Sequence, residues 1–170
     1  GTRKKKTRQR IALKKLAGNV FKTINPIKKG TRFKMEIKNA VECYIYIFTP
    51  DESGNKSMIL FPYKPIHSAY CGITGYRLFP RKESIMADDI GNKEIMAVVV
   101  SKTELDYNGL NAAINSSKKP GFAAKVNEAV ANHAVKNVNY KATADGKINF
   151  NVAAGEANSI VATIVEMDKQ

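Results

Sequence analysis

Three runs of this chain are apolar at consecutive positions instead of alternate ones. They are Cys43-Tyr44-Ile45-Tyr46-Ile47-Phe48, Ile95-Met96-Ala97-Val98-Val99-Val100 and the segment from Ser159 to Met167, which is apolar on both faces apart from Ser159, Thr163 and Glu166. Successive residues of a strand face opposite sides of a sheet, so a run apolar on both faces must be covered on both. None approaches the ~20 apolar residues that a helix needs to span a bilayer. Their β-branched and aromatic content predicts central strands for the first two and a last strand, apolar on both faces, for the third, and they set the frame into which the rest of the chain must fit.

Between them lie half-wet elements. Phe33, Met35 and Ile37 alternate with Lys34, Glu36 and Lys38. Asp51-Glu52-Ser53-Gly54-Asn55 is turn chemistry, and Met58 to Phe61 returns from it, which reads as a hairpin. Tyr63 to Gly75 reads as a long loop, and Arg77-Leu78-Phe79-Pro80 as a short edge strand stopped by its proline. The period then changes. Asp106 caps a predicted helix presenting Tyr107, Leu110 and Ile114, and Pro120 opens a second helix running to about Val135. Val138, Tyr140 and Ala142, then Ile148, Phe150 and Val152, alternate on either side of Asp145-Gly146, a second hairpin signal. Near the start, Leu13, Leu16, Ala17, Val20, Phe21 and Ile24 recur at helical spacing, which predicts an amphipathic helix from about Arg10 to Ile24, ended by Pro26. The expectation is an α+β, mainly β fold of about seven or eight strands. Its form is an antiparallel β-sandwich or strongly bent sheet with an N-terminal helix and two inserted helices. Residues 1–29 read as a basic arm and 30–170 as a single β-rich domain, with a core at 30–106, a helical insertion at 107–136 and C-terminal strands at 137–170.

Charge is distributed unevenly. Residues 1–32 hold 12 of the 28 Lys and Arg and none of the 15 Asp and Glu, so the net +13 describes a basic arm on a nearly neutral body. Arg3, Lys4, Lys5, Lys6, Arg8, Arg10, Lys14 and Lys15 are the candidate contacts for a polyanion, either nucleic acid or an anionic membrane surface. Against nucleic acid, the body shows no RNA-binding sheet signature and no Trp for base stacking.

Catalytic and metal signatures are lacking. The chain has no phosphate-binding glycine loop, no His-Glu-x-x-His and no Gly-x-Ser-x-Gly elbow. His133 reads as a packing residue at the core edge. His67 with Ser68, Tyr70 and Cys71 forms the weakest of the candidate sites, because no third orienting group is recognisable. Asp88-Asp89 reads as a solvated turn before a strand. Cys43 and Cys71 read as free thiols, with a disulfide between them the alternative in an exporting cell. No catalytic residue, metal ligand or cofactor is expected.

The stretch from Gly30 to Asp106 carries a recognisable order. It contains Tyr44-Ile45-Tyr46-Ile47-Phe48, then Asp51 and Gly54 in a turn, then Ile59-Leu60-Phe61-Pro62, and later Arg77-Leu78-Phe79-Pro80, Gly91 with Glu94, and a strand closing on Ser101. This order resembles the bacterial family called domain of unknown function 4384. The resemblance implies an accessory module in an extracytoplasmic or envelope setting, without catalytic residues. The expected function is therefore that of a non-catalytic interaction domain of an exported envelope protein. It would be periplasmic or envelope-associated, with an export signal removed upstream of Gly1, and its partner would be a protein or another envelope component.

Overall fold

The computed structural model describes residues 10–37, 41–62, 68–72, 77–79, 85–143, 147–152 and 157–170. The three apolar runs are strands β5 (Cys43–Pro50), β10 (Lys93–Ser101) and β13 (Ile160–Asp168), adjacent in one sheet. β10 lies at the centre. It pairs antiparallel with β13 from Lys93↔Asp168 to Ser101↔Ile160, and with β5 from Ala97↔Phe48 to Ser101↔Tyr44. β6 (Ser57–Phe61) returns from β5 through the predicted turn, where Ser53 Oγ donates to Asp51 Oδ1 at 2.6 Å. β7 (Tyr70–Cys71) takes the remaining stretch of that same edge of β5, pairing Cys43↔Cys71 and Tyr44↔Tyr70. This two-residue strand falls in the segment read as a loop, because Tyr70-Cys71 is too short to show a period.

The segment from Arg10 to Ile24 is not the predicted amphipathic helix. It forms a hairpin of β1 (Leu13–Ala17) and β2 (Val20–Thr23), and the sheet order becomes β1-β2-β13-β10-β5-β6. Two causes act together. Gly18 stands at φ +56 in the first of two turn positions, a place in a hairpin that suits glycine. β2 also pairs in parallel with β13, Ile164↔Val20 to Glu166↔Lys22, so that β13 has a partner on both sides. That one parallel joint departs from the all-antiparallel expectation. Asn19 locks the corner. Its side-chain N–H groups donate to Asn127 Oδ1 at 2.8 Å and to the Ala162 carbonyl at 2.9 Å.

Both faces of the sheet are covered, as the apolar runs require. On one face Tyr46, Phe48, Ala97, Val99, Ala162 and Ile164 pack with Ile114, Val126 and Val130 of α1 (Tyr107–Ser116) and α2 (Phe122–Val130). On the other face Cys43, Ile45, Ile47, Met96 and Val165 pack with Phe33, Met35, Ile37 and Ile85. These come from short antiparallel ladders, β3 (Arg32–Phe33) with β9 (Ile85–Met86) and β4 (Met35–Ile37) with β8 (Arg77–Phe79). The alternation read at Phe33, Met35 and Ile37 holds, with Arg32, Lys34 and Glu36 exposed. β11 (Asn139–Ala142) and β12 (Ile148–Asn151) form the second hairpin, and Tyr140 sets its ring edge against Phe21 at 5.7 Å.

Helix α1 begins as predicted, with Asp106 Oδ1 accepting from Gly109 N at 3.0 Å. A Cβ at residue 109 would run into that carboxylate, which accounts for a glycine inside a first turn. α2 ends at Val130 and is followed by a single tight turn, Ala131–His133, so His133 is exposed and not at the core edge. Tyr46 anchors the helical layer to the sheet. It is wholly buried, and its hydroxyl accepts from Leu105 N at 2.7 Å just before the α1 cap. Burial pushes its phenol above the ordinary value, and the Leu105 N–H opposes this. Tyr46→Phe orphans that N–H, and an expected loss of about 1–2 kcal/mol follows in urea unfolding. The Leu105 amide should then exchange with solvent faster than in the wild type, and an unchanged exchange rate would refute the anchoring role.

Candidate functional site

Of the eight basic candidates, Arg3, Lys4, Lys5, Lys6 and Arg8 lie outside the described residues. Arg10, Lys14 and Lys15 are exposed, the two lysines on β1 at the end of the sheet order. A strand divides Lys14 from Lys15 between its two faces, and the register shifts after Lys15. Lys14 faces Lys22 across the hairpin, and Lys22 in turn pairs with Asp168 at 3.0 Å. The three described basic residues therefore follow the strand without forming one patch.

The candidates around Cys71 separate. His67 lies outside the described residues. Ser68 accepts from Tyr70 N at 3.1 Å within its own turn, and the Tyr70 hydroxyl donates to Glu42 Oε1 at 2.9 Å on the surface. Cys71 is buried on the opposite side of the strand, as the register partner of Cys43. No disulfide joins the two cysteines, and both belong to the core beneath the short ladders.

Asp88-Asp89 is not simply a solvated turn. Asp89 is exposed, but Asp88 engages the penultimate residue of the chain. The Lys169 side chain has no solvent exposure. Its ammonium donates to Asp88 Oδ1 at 2.8 Å and Glu94 Oε1 at 2.9 Å, and to the carbonyls of Asp88 at 3.1 Å and Ile90 at 2.7 Å. Burial alone would lower its pKa; hydrogen bonds to the two carboxylates and their charges more than offset this, and it is raised. The Lys169 hydrogen bond holds the Asp88 carboxyl below the ordinary carboxylate range, aided by the Ile90 N–H. The cluster ties the turn before β10 to the end of β13. A lysine just past an apolar strand was the one signal in the sequence, and it named no partner.

A cleft unmarked in the sequence opens between the β5–β6 turn and the start of α2. Its volume is about 290 Å³, with Lys56, Ser57, Lys119, Gly121, Phe122 and Lys125 in its walls. Asn115 of α1 fixes one wall, accepting from Ser57 N at 2.7 Å and donating to the Ser57 carbonyl at 3.2 Å. Among the described residues, no group of three or more His, Cys, Asp or Glu side chains is placed to hold a metal ion. Among the same residues, no helix is long and apolar enough to cross a membrane. Comparison with family models, curated proteins and solved structures finds no match to the chain.

Proposed function

We propose that this chain is a non-catalytic interaction domain of an exported bacterial envelope protein. One observation carries the reading: the buried Lys169–Asp88–Glu94 cluster is turned onto backbone carbonyls and serves as a joint of the fold. The order of motifs from Gly30 to Asp106 supports it through its resemblance to the bacterial domain of unknown function 4384 family. In this reading the β3–β9 and β4–β8 ladders act as the second layer of a sandwich, opposite the helices. The test is fractionation of the epitope-tagged natural protein in its own cells. Recovery with the envelope or periplasm is expected. Recovery in the cytosol would sink the proposal.

A second reading rests on Arg10, just before β1, and on Lys14 and Lys15 of β1, which stand exposed and continue the basic run before them. It gives the N-terminal arm salt-sensitive affinity for a polyanion, nucleic acid or anionic lipid. Binding to duplex DNA and to anionic vesicles should weaken steeply with salt, with a log–log slope of about −0.9 per DNA phosphate neutralised. Deleting residues 2–10 should remove most of that affinity. No binding at low salt, or binding indifferent to the deletion, excludes this reading.

A further inference from the structure

The cleft beside α2 has the features of an anion site, and none of its wall belongs to the N-terminal arm. α2 is nine residues long and has Gly121 at its N-cap position, where a φ of +84 suits glycine and no side chain is offered to cap the helix. The first-turn N–H groups of Phe122, Ala123 and Ala124 therefore have no capping side chain, and the helix dipole adds partial positive charge at that end. Lys56, Lys119 and Lys125 stand around the same opening. Lys119 is held loosely, 3.9 Å from Glu128 on an exposed helix face, and no ion pair is found for Lys56 or Lys125 among the described residues. Asp51, the carboxylate of the adjoining turn, is occupied by Ser53 Oγ and the Lys56 N–H.

A separate observation points to a ligand. Ser57 is 6% exposed and lines the cleft, and among the described residues its hydroxyl has no hydrogen-bond partner although both its backbone groups bond to Asn115. A buried hydroxyl without a partner is uncommon, because the loss of its water contacts goes uncompensated. A group that accepts from Ser57 Oγ, from the α2 N–H groups and from several ammonium ions must have multiple oxygens and more than one negative charge. We propose that the cleft binds the phosphate of a phosphomonoester. Its volume, at the low end of the ~300–1,000 Å³ of small-molecule sites, leaves room for a short substituent beyond the phosphate.

The test titrates the full chain with glycerol 3-phosphate at constant ionic strength and follows backbone amides by NMR. In parallel, the chain is mixed with vesicles containing phosphatidic acid, which presents the same group on a lipid. Saturable shifts are expected at Phe122, Ala123, Ala124 and Ser57. Lys125→Gln should weaken binding about tenfold, and Lys56→Gln similarly. Ser57→Ala should weaken it several-fold without lowering the unfolding midpoint, since its hydroxyl holds nothing in the fold. Saturation by the soluble compound assigns a small-molecule ligand, and binding to vesicles alone, lost in the same variants, assigns a lipid headgroup. Overturning results are non-saturating shifts, indifference to all three substitutions, or loss of binding only when residues 2–10 are deleted. The last would assign the affinity to the N-terminal arm.

Discussion

The Asp88→Asn, Glu94→Gln double variant is expected to lose about 3 kcal/mol of stability. Removing the partners of a buried charge costs about 3–5 kcal/mol; the lower end applies here because solvent reaches the two carboxylates and screens part of the interaction. Their side chains are 42% and 22% exposed, whereas Lys169 is wholly enclosed. The asymmetry makes the prediction specific. Lys169→Met leaves carboxylates that water can serve, and orphans only the Asp88 and Ile90 carbonyls, so it should cost less, about 1–2 kcal/mol. Equilibrium urea unfolding at pH 7 measures both, and a lysine variant weaker than the double acid variant would overturn the account. The pH dependence follows from the shifts. Asp88 is depressed in the fold, so its contribution is present above the unfolded carboxylate pKa of about 3.9 and is lost as pH falls through the lower folded value. Lys169 is raised, so its contribution is present below about 10.4 and is lost as pH rises through the higher folded value. The gap between wild type and the double variant should therefore be flat near neutrality and close at acid pH.

Oxidation of Cys43 and Cys71 should stabilise the domain by about 3–4 kcal/mol, the loop-closure value for cysteines at this separation, less any strain. Register partners in an antiparallel pair have Cα atoms about 4.5–5.5 Å apart, inside the 4.4–6.8 Å that a disulfide spans. Two thiols yield one disulfide and release two protons; the two electrons go to a disulfide oxidant such as oxidised glutathione, which becomes two thiols. Treated with that oxidant, the chain should lose two hydrogens by intact mass and resist alkylation after unfolding. Its melting temperature should rise by roughly 10 °C. Two alkylatable thiols after prolonged oxidation would refute it. The disulfide also bears on the proposed location, since an oxidising envelope would form it and a reducing cytosol would not.

Much of this fold is readable in the sequence because burial on both faces leaves a mark that needs no partner to interpret. Cys43 to Phe48, Ile95 to Val100 and Ile160 to Val165 identify themselves as interior strands, and Asp106 identifies the start of α1 through a bond three residues away. Residues 13–23 mislead because Leu13, Leu16, Val20 and Ile24 fit a helix by spacing, whereas Gly18-Asn19 is equally good turn chemistry. The partner that favours strands, β13, lies far along the chain. The site residues are harder still. Lys169 and Asp88 are 81 positions apart, and Ser57 meets Asn115 across 58. A residue's own type says which bonds it is able to make, and only the folded chain says which groups come within reach.

The sequence by itself determined the β-rich class, the three interior strands, the two late helices and the concentration of positive charge at the start. Each of these depends on local pattern or composition. The tertiary structure alone decided that the first hairpin joins β13 in parallel, that Lys169 is buried against Asp88 and Glu94, and that Cys43 stands opposite Cys71. It alone placed three lysines and an unpartnered serine around the start of α2. The physical reason is that pairing and desolvation energies belong to contacts between distant segments, and their strength is set by a geometry that no local window contains.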